Sequence, residues 1–343
     1  MHAIQKEGVL SIRILIIGAG LMGADHANIV SRDLPGATLQ LVCDTDELRA
    51  KSVADTYGAE DISTNPKTAI FRDDIDAVII ASPDFTHTPL TLACIAANKK
   101  VLCEKPLSQS SSECLEVMNA EQNIGLKIVQ LGFMRRYDQS YIEMRAALEK
   151  GILGSALMMH NFHRNVEIPS SDFTSAMAIT NSAPHEFDVV RHMLNTEYTT
   201  ISAFQSKRTD ALVAPVVMVL ETNAHQIITI EINNNAAYGY DVRAELVGEA
   251  GSIAVNNVAY SRTDINLASS TSYNMDWRDR YREAYIRQNR AFVDFVVTGN
   301  FPEIASNCWD GYCAALVAEA GVEALKSGQK QAIKMVSKPE LYQ

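Results

Sequence analysis

A few short stretches of the chain hold side chains whose type and spacing could do chemistry. "GAGLMG" (Gly18–Gly23) sets three glycines in a G-x-G-x-x-G spacing directly after an apolar run. In such a turn the first Gly makes a tight bend, the second lets the backbone approach a pyrophosphate, and the third lets helix pack on strand. The N-terminus of the helix then faces the phosphates. Gly18, Gly20, Leu21, Met22 and Gly23 are therefore candidate contacts to a dinucleotide. The next apolar run ends in Asp44, a little beyond the ~20-residue spacing expected of the acid that holds a ribose 2′-hydroxyl. A carboxylate there would repel a 2′-phosphate, which favours NAD over NADP. Asp44 can also cap the helix opened by "DTDELRA".

Two polar clusters, "SPDFTHTP" (Ser82–Pro89) and "CEKP" (Cys103–Pro106), close later apolar runs. Ligands of open α/β sheets bind outside the carboxyl ends of the strands, so Ser82, Pro83, His87, Glu104 and Lys105 join the cofactor candidates. Lys105 precedes a proline and is held extended, which aims its ammonium out of the strand end. In "ITNSAPHEFD" (Ile179–Asp188), Asn181 and His185 stand four apart, on one face of a helix, within reach for one side chain to steer the other. The competing reading is a plain helix start, with Asn181 or Ser182 as cap and His185 on the surface. No metal is expected at "HNFHR" (His160–Arg164): a spacing of three in a strand sends His160 and His163 to opposite faces, and no acid cluster joins them.

The elements that must position these residues follow from the apolar pattern. "IRILII", "LQLVCD", "DAVIIAS", "KVLCE" and "KIVQLG" are short runs of the kind a parallel sheet buries on both faces. Between them, "DELRAKSVADTYG" has an acidic first turn and a closing Gly, and "PLTLACIAANK" opens with Pro; both read as helices. This predicts a doubly wound α/β (Rossmann) domain over 1–131. From about Gly132 the pattern changes. Helices near 138–150, from "ITNSAPHEFD" to Asn195, and near 280–298 and 309–327 accompany strands "TISAFQ", "VVMVLE", "QIITIEIN" and "DVRAELVG", separated by short turn signals. That is an α+β domain over 132–343 with a large, mainly antiparallel sheet.

Composition agrees. The 343 residues, 47% of them hydrophobic, are enough for two cores. A net charge of -11 disfavours nucleic acid or an anionic membrane surface as partner and points to a small molecule. The six Cys form no C-x-x-C pair and several sit in apolar runs, as in a reducing compartment. The N-terminal apolar run is broken by Arg13 and too short for a membrane span, so a cytoplasmic location is expected. Trp277, Trp309 and the scattered Met read as packing residues.

Taken together, "GAGLMG", "SPDFTH", "CEKPLS" and "HEFDVVRHML" resemble the Gfo/Idh/MocA oxidoreductases, NAD(P)-dependent enzymes of sugars, cyclitols and related polyols. "GFMRRYD", "HNFHR", "AMAITNSAPHEFD", "YGYD", "MDWRDRYREAY", "WDGYCAA" and "KPELYQ" look like the members that oxidise inositol. The resemblance runs the length of the chain apart from about ten N-terminal residues. It implies that Lys105 hydrogen-bonds the reacting hydroxyl near the nicotinamide and that His185 is the catalytic base. That role suits an imidazole, which titrates near neutral pH, while the ammonium would stabilise the developing alkoxide. It implies substrate contacts at Arg135, His163, Tyr238 and Tyr240, with Met134 on the wall, and a dimer or tetramer formed through the open face of the second sheet. Read alone, Arg135 could instead pair with Asp138 at the surface, and the tyrosines could be sheet-edge residues at an interface. Two departures stand out. Asn181 falls where the inositol-oxidising members typically carry an Asp that joins the Lys and His, and Ile286 falls where they often show Asp.

Overall fold

In the computed structural model, which describes residues 11–168, 170–207, 213–255 and 261–343, the run Ile12–Ile17 is strand β1. The start of the N-terminal apolar run lies outside the described residues. Beyond β1 come α1 (Leu21–Asp33), β2 (Ala37–Cys43), α2 (Glu47–Tyr57), β3 (Asp61–Ser63), α3 (Pro66–Ile70), β4 (Ala77–Ile80), α4 (His87–Ala96), β5 (Lys100–Cys103), α5 (Ser111–Ile124) and β6 (Val129–Leu131). The six strands pair in parallel in the order β3-β2-β1-β4-β5-β6. That order reverses between β1 and β4, so the loops after these strands open at a topological switch point. Ile14–Ile17 and Ala77–Ile80 are almost wholly buried, as expected of central strands covered on both faces. The edge strand β3 has three residues and no apolar signature, which is why periodicity does not reveal it.

The closing Gly of α2 works as read, whereas its cap falls on Asp46 rather than Asp44 and α4 opens at His87, two residues ahead of Pro89. Asp46 caps α2 by accepting the Arg49 N–H (3.1 Å), and Gly58 closes it in the left-handed region at φ +74°. One compact unit takes the chain to Leu107 with Glu116–Gly132 and Ile286–Cys308, and the other takes Ser108–Leu115, Phe133–Tyr285 and Trp309–Gln343.

The later elements are α6 (Gln139–Glu149), β7 (Ala156–Arg164), α7 (Ser175–Met177), a π-helical turn (Ala178–Ser182), α8 (Pro184–Leu194), β8 (Tyr198–Gln205), β9 (Val216–Thr222), β10 (Ile227–Asn233), β11 (Asp241–Gly248), β12 (Ser252–Val255), β13 (Thr263–Ile265), β14 (Ala268–Ser270), α9 (Trp277–Thr298), α10 (Cys308–Ser327) and β15 (Gln331–Ala332). The second unit holds a seven-stranded sheet in the order β12-β11-β7-β10-β9-β8-β15. It is antiparallel except where β7 pairs parallel with β10, so β7 is an interior strand, flanked by β11 and by the central β10. Along β7 burial alternates, with Met159, Asn161 and His163 facing the covered side. All six cysteines are buried and lie outside any disulfide. Among the described residues, no helix is long and apolar enough to cross a membrane.

Candidate active site

The first unit offers a backbone cradle. Gly18 follows β1 at φ +97°, and a Cβ there would lie 2.5 Å from the Ala81 carbonyl oxygen. A Cβ on Gly23 would lie 1.8 Å from the Gly18 oxygen, so both positions demand glycine. Gly20 is the N-cap of α1, contributes no side-chain cap, and has open space where a Cβ would be. The first N–H groups of α1 therefore face room for an anion. Leu21 is exposed and Met22 half-buried beside that opening.

Asp44, at the tip of β2, accepts the Ala19 N–H on Oδ2 (2.8 Å) and the Asp46 N–H on Oδ1 (2.9 Å). Each carboxylate oxygen accepts more than one hydrogen bond, so a ribose diol fits beside these two. The reading of Asp44 as helix cap fails, because Asp46 caps α2 and Asp44 instead holds the turn before it.

The ends of β4 and β5 lie level. Ile80 pairs with Cys103, and the last ladder bond runs from the Glu104 N–H to the Ile80 oxygen (2.9 Å). Ser82 and Lys105 thus each stand two residues past a matched pair. Ser82 and Lys105 are half-buried and Pro83 is exposed. Glu104 and His87 face the protein. The Glu104 carboxylate meets His26 Nε2 (3.0 Å) and the Lys105 N–H (3.2 Å), and a Cβ on Gly132 would collide with it at 2.7 Å. His26 in turn meets Asn289 (3.0 Å), a buried partner that no local motif announces. His87 is buried with its ring nitrogens 2.6 Å from the Pro106 oxygen and 2.8 Å from the Ser82 oxygen.

The second unit is built from buried charge. Arg135, 1% exposed, binds Glu186 through Nη1 and meets His163 Nδ1 through Nη2 (3.2 Å). Glu186 also meets His163 Nδ1 (3.1 Å). Burial alone would raise the Glu186 pKa, but Arg135 and His163 outweigh it and hold the carboxyl below its ordinary range. The surface pair between Arg135 and Asp138 does not form: Asp138 caps α6 and binds Arg280 (2.6 Å). Beside this cluster, Arg136 binds Asp188 through Nε (2.8 Å) and Asp310 through Nη2 (3.0 Å), and Arg191 bridges Asp310 (2.8 Å) and Glu197 (2.6 Å).

His185 is 8% exposed on the first turn of α8, its ring centroid 6.4 Å from that of His163 and 6.1 Å from that of Phe133. It is not a surface residue. Nor does Asn181 or Ser182 cap the helix. The chain is already helical there, in a wide turn closed by the Ala183 N–H on the Ala178 oxygen (3.2 Å), and Pro184, which has no N–H, begins α8. Asn181 Oδ1 accepts from Thr180 Oγ1 (2.6 Å) and Gln109 Nε2 (3.3 Å).

Tyr240 is buried and meets His163 edge-on at 6.3 Å, and Met134 is buried one residue before Arg135. Tyr238 is half exposed and pinned: its hydroxyl donates to Asp241 (2.8 Å) and accepts from Arg164 (3.0 Å). Ile286 is buried on α9. His160 meets Thr229 (2.7 Å), on the opposite face of β7 from His163. Glu186 and Gln109, which sequence reading passes over, hydrogen-bond the candidate residues Arg135, His163 and Asn181. Glu186 follows the histidine directly, but nothing local ties it to Arg135, 51 positions away.

A glycine cradle at the switch point, an acid at the tip of β2 and a second unit carrying a shielded histidine define a nucleotide-dependent oxidoreductase. Residues 12–133 match an oxidoreductase family with an NAD-binding Rossmann fold, and residues 141–254 match the GFO/IDH/MocA C-terminal domain. The chain is 37% identical to inositol 2-dehydrogenase 1 of Saccharopolyspora erythraea, over 97% of this chain and 99% of that one. It is also 37% identical to an inositol 2-dehydrogenase/D-chiro-inositol 3-dehydrogenase of Shouchella clausii, over 97% of each. A crystal structure of myo-inositol dehydrogenase from Lactobacillus casei with NAD(H) and myo-inositol superposes with a TM-score of 0.92 at 28% identity, covering 97% of this chain and 100% of that one. The chain belongs to the GFO/IDH/MocA oxidoreductase family, and its cofactor is NAD.

Proposed function

We propose that the protein oxidises a secondary alcohol of an inositol-like cyclic polyol to the ketone, with Lys105 and His185 as the acid–base pair. The observation that carries this reading is the full-length likeness to inositol 2-dehydrogenases, together with a His185 shielded from water beside His163. When bound, NAD would supply the acceptor for the hydride that leaves the carbinol carbon. The Gly20–Met22 backbone and the N-terminus of α1 would hold its pyrophosphate, and Asp44 its ribose hydroxyls. His185 takes the hydroxyl proton. The Lys105 ammonium donates to the same oxygen and stabilises the alkoxide as it forms.

The substrate-binding role divides by burial. His163 and Tyr240 contact the polyol, Met134 lines the wall, and Arg135 acts through Glu186 and His163 by fixing the imidazole. Tyr238, tied to Asp241 and Arg164, supports the rim. Asn181, with a neutral amide where the resemblance to inositol-oxidising members implies an Asp, favours a second reading, a dehydrogenase of another cyclitol or sugar. NADH formation measured at 340 nm across a panel of inositol isomers and pyranoses decides between them, and no turnover with any member would sink both.

Cofactor choice gives a further check. Asp44→Ala should weaken NAD and narrow the gap to NADP by about tenfold, and equal efficiency with NADP in the unmutated protein would refute the role of Asp44. The reading includes a homodimer or homotetramer, because Phe204, Val217 and Ile227 stand exposed on one face of the second sheet. Light scattering tests it. A cytoplasmic location fits six cysteines outside any disulfide.

A further inference from the structure

His87 opens α4, and its ring lies between two carbonyl oxygens: Pro106 at 2.6 Å from Nδ1 and Ser82 at 2.8 Å from Nε2. A carbonyl oxygen only accepts, and a neutral imidazole has one donor and one acceptor nitrogen. A neutral ring would therefore set a lone pair against a carbonyl in one of these contacts, in a place that is 1% exposed. Only the imidazolium donates to both. The contacts join points that matter for the site. Ser82 and Lys105 extend β4 and β5 beyond the last ladder bond at Glu104, where the sheet itself no longer ties the two strands together. The ring bridges Ser82 to Pro106, the residue after Lys105.

We propose that His87 is a protonated positioning residue, a charged clamp that replaces the missing ladder and fixes the backbone on which Lys105 is carried. This rests on the reading of Lys105 as the group that binds the reacting hydroxyl. Its role differs from that of a direct cofactor ligand, since both ring nitrogens are spent on protein carbonyls. Thr86 helps bring the ring into place, with its hydroxyl donating to the Pro83 oxygen (2.7 Å) and meeting Ser82 Oγ at 2.6 Å. The titratable groups that face His87 are the Cys103 thiol, which also hydrogen-bonds the ring, and the Asp84 carboxylate. Burial opposes the charge, but Cys103, the Pro106 carbonyl and Asp84 outweigh it and push the pKa up to about 10. The two carbonyls require the second proton whatever the state of the thiol.

The test begins with the full chain labelled with ring-¹⁵N histidine and titrated from pH 6 to 9. One histidine, assigned as the signal missing from His87→Gln, should keep both nitrogens protonated at pH 8.5. If every histidine has become neutral by then, the proposal is overturned. His87→Gln retains a donor for one carbonyl only. Amide exchange at Lys105 should quicken at least tenfold in it while Gly18–Gly23 exchange as before. On the best polyol, kcat should fall by roughly 10- to 100-fold with the NAD Kd changed less than threefold, as a small misplacement of a reacting group produces. His87→Lys, which keeps a cation, should recover part of that loss. Unchanged exchange and kcat in folded His87→Gln would overturn the clamp. Should that variant not fold, the titration of the unmodified chain decides alone. Failure of the unmodified protein to oxidise any polyol would remove the functional reading and leave titration and exchange to judge the clamp.

Discussion

The two units bury polarity in contrasting ways. In the first, binding capacity comes from backbone: glycines that nothing else can replace, open helix N–H groups, and one carboxylate folded over its own loop. In the second it comes from side chains in ion pairs, with Arg135, Glu186, Arg136, Asp188 and Arg191 all nearly out of water. A backbone cradle tolerates many surroundings, because its donors are fixed by φ and ψ. A buried ion-pair cluster stands or falls as a set, because each charge left alone costs more than the pair contributed.

The sharpest way to break this comparison is His185→Ala. Removing a general base costs about 10²- to 10⁴-fold in turnover, and Lys105→Ala should lose a comparable amount. NAD affinity, measured by fluorescence, should be nearly unchanged, because the cradle is backbone. Loss of NAD binding in His185→Ala would show that the two kinds of polarity do not divide the labour.

Next in size is Arg135→Ala. It strands Glu186 in the interior and should lower stability by about 3–5 kcal/mol in denaturant unfolding, more than Glu186→Gln, which keeps the shape and removes the charge. Glu186 is held ionised in the fold, so its share of stability is complete above its ordinary pKa and is lost as pH falls through the depressed folded value. A cost below 1 kcal/mol for Arg135→Ala would refute the account of the cluster.

The units also differ in the pH at which they are vulnerable. His192 in the second unit is half-buried, and desolvation together with the facing Arg136 and Arg145 pushes its pKa down to about 2. Arg145 Nη1 donates to its Nδ1 at 2.9 Å, a bond only the neutral ring can accept. With the folded value depressed, its contribution is complete above about pH 6.5 and is lost as the medium turns acidic below that, by up to about 1.4 kcal/mol per pH unit. His87 has the opposite sign: its contribution is complete below about pH 6.5 and fades as pH rises through its folded value of about 10. Unfolding midpoints between pH 7 and 5 should drop for the native protein and drop less for His192→Gln. Parallel curves would clear His192 of this role.

The smallest effect is expected at Asn181. Its Oδ1 already accepts from Thr180 and Gln109, so Asn181→Asp gains a carboxylate with its donors in place. A new negative charge near His185 favours the imidazolium, and the acidic limb of kcat/KM against pH should move upward by a few tenths of a unit to about one unit. A limb that stays or moves downward would mean that residue 181 does not act on the histidine.

The same contrast explains what could be read from the sequence. A Gly-rich turn after an apolar run, an acid ending the next strand and a Lys before Pro are local signals, and the structure puts Gly18, Asp44 and Lys105 at strand ends as those signals require. Arg135 read as a substrate contact or as a surface partner of Asp138, and its real pairing with Glu186 stayed hidden because it spans 51 positions. The interior place of β7 and its parallel pairing with β10 were hidden for the same reason, since order within a sheet is a long-range property. The π-helical turn escaped because a spacing of four looks alike in an ordinary helix and in one widened by a residue.

The buried cysteines have a use beyond packing. Cys43, Cys94, Cys103 and Cys308 belong to the first unit, and Cys114 and Cys313 to the second. Burial pushes the Cys43 thiol up to about 11 and raises Cys94 and Cys313 as well, withholding the reactive thiolate. Each sulfur is then a sealed reporter that an alkylating reagent can mark only when the wall around it opens. Counting marked thiols by mass against time in mild denaturant would clock the opening of the two units separately within one unmodified chain.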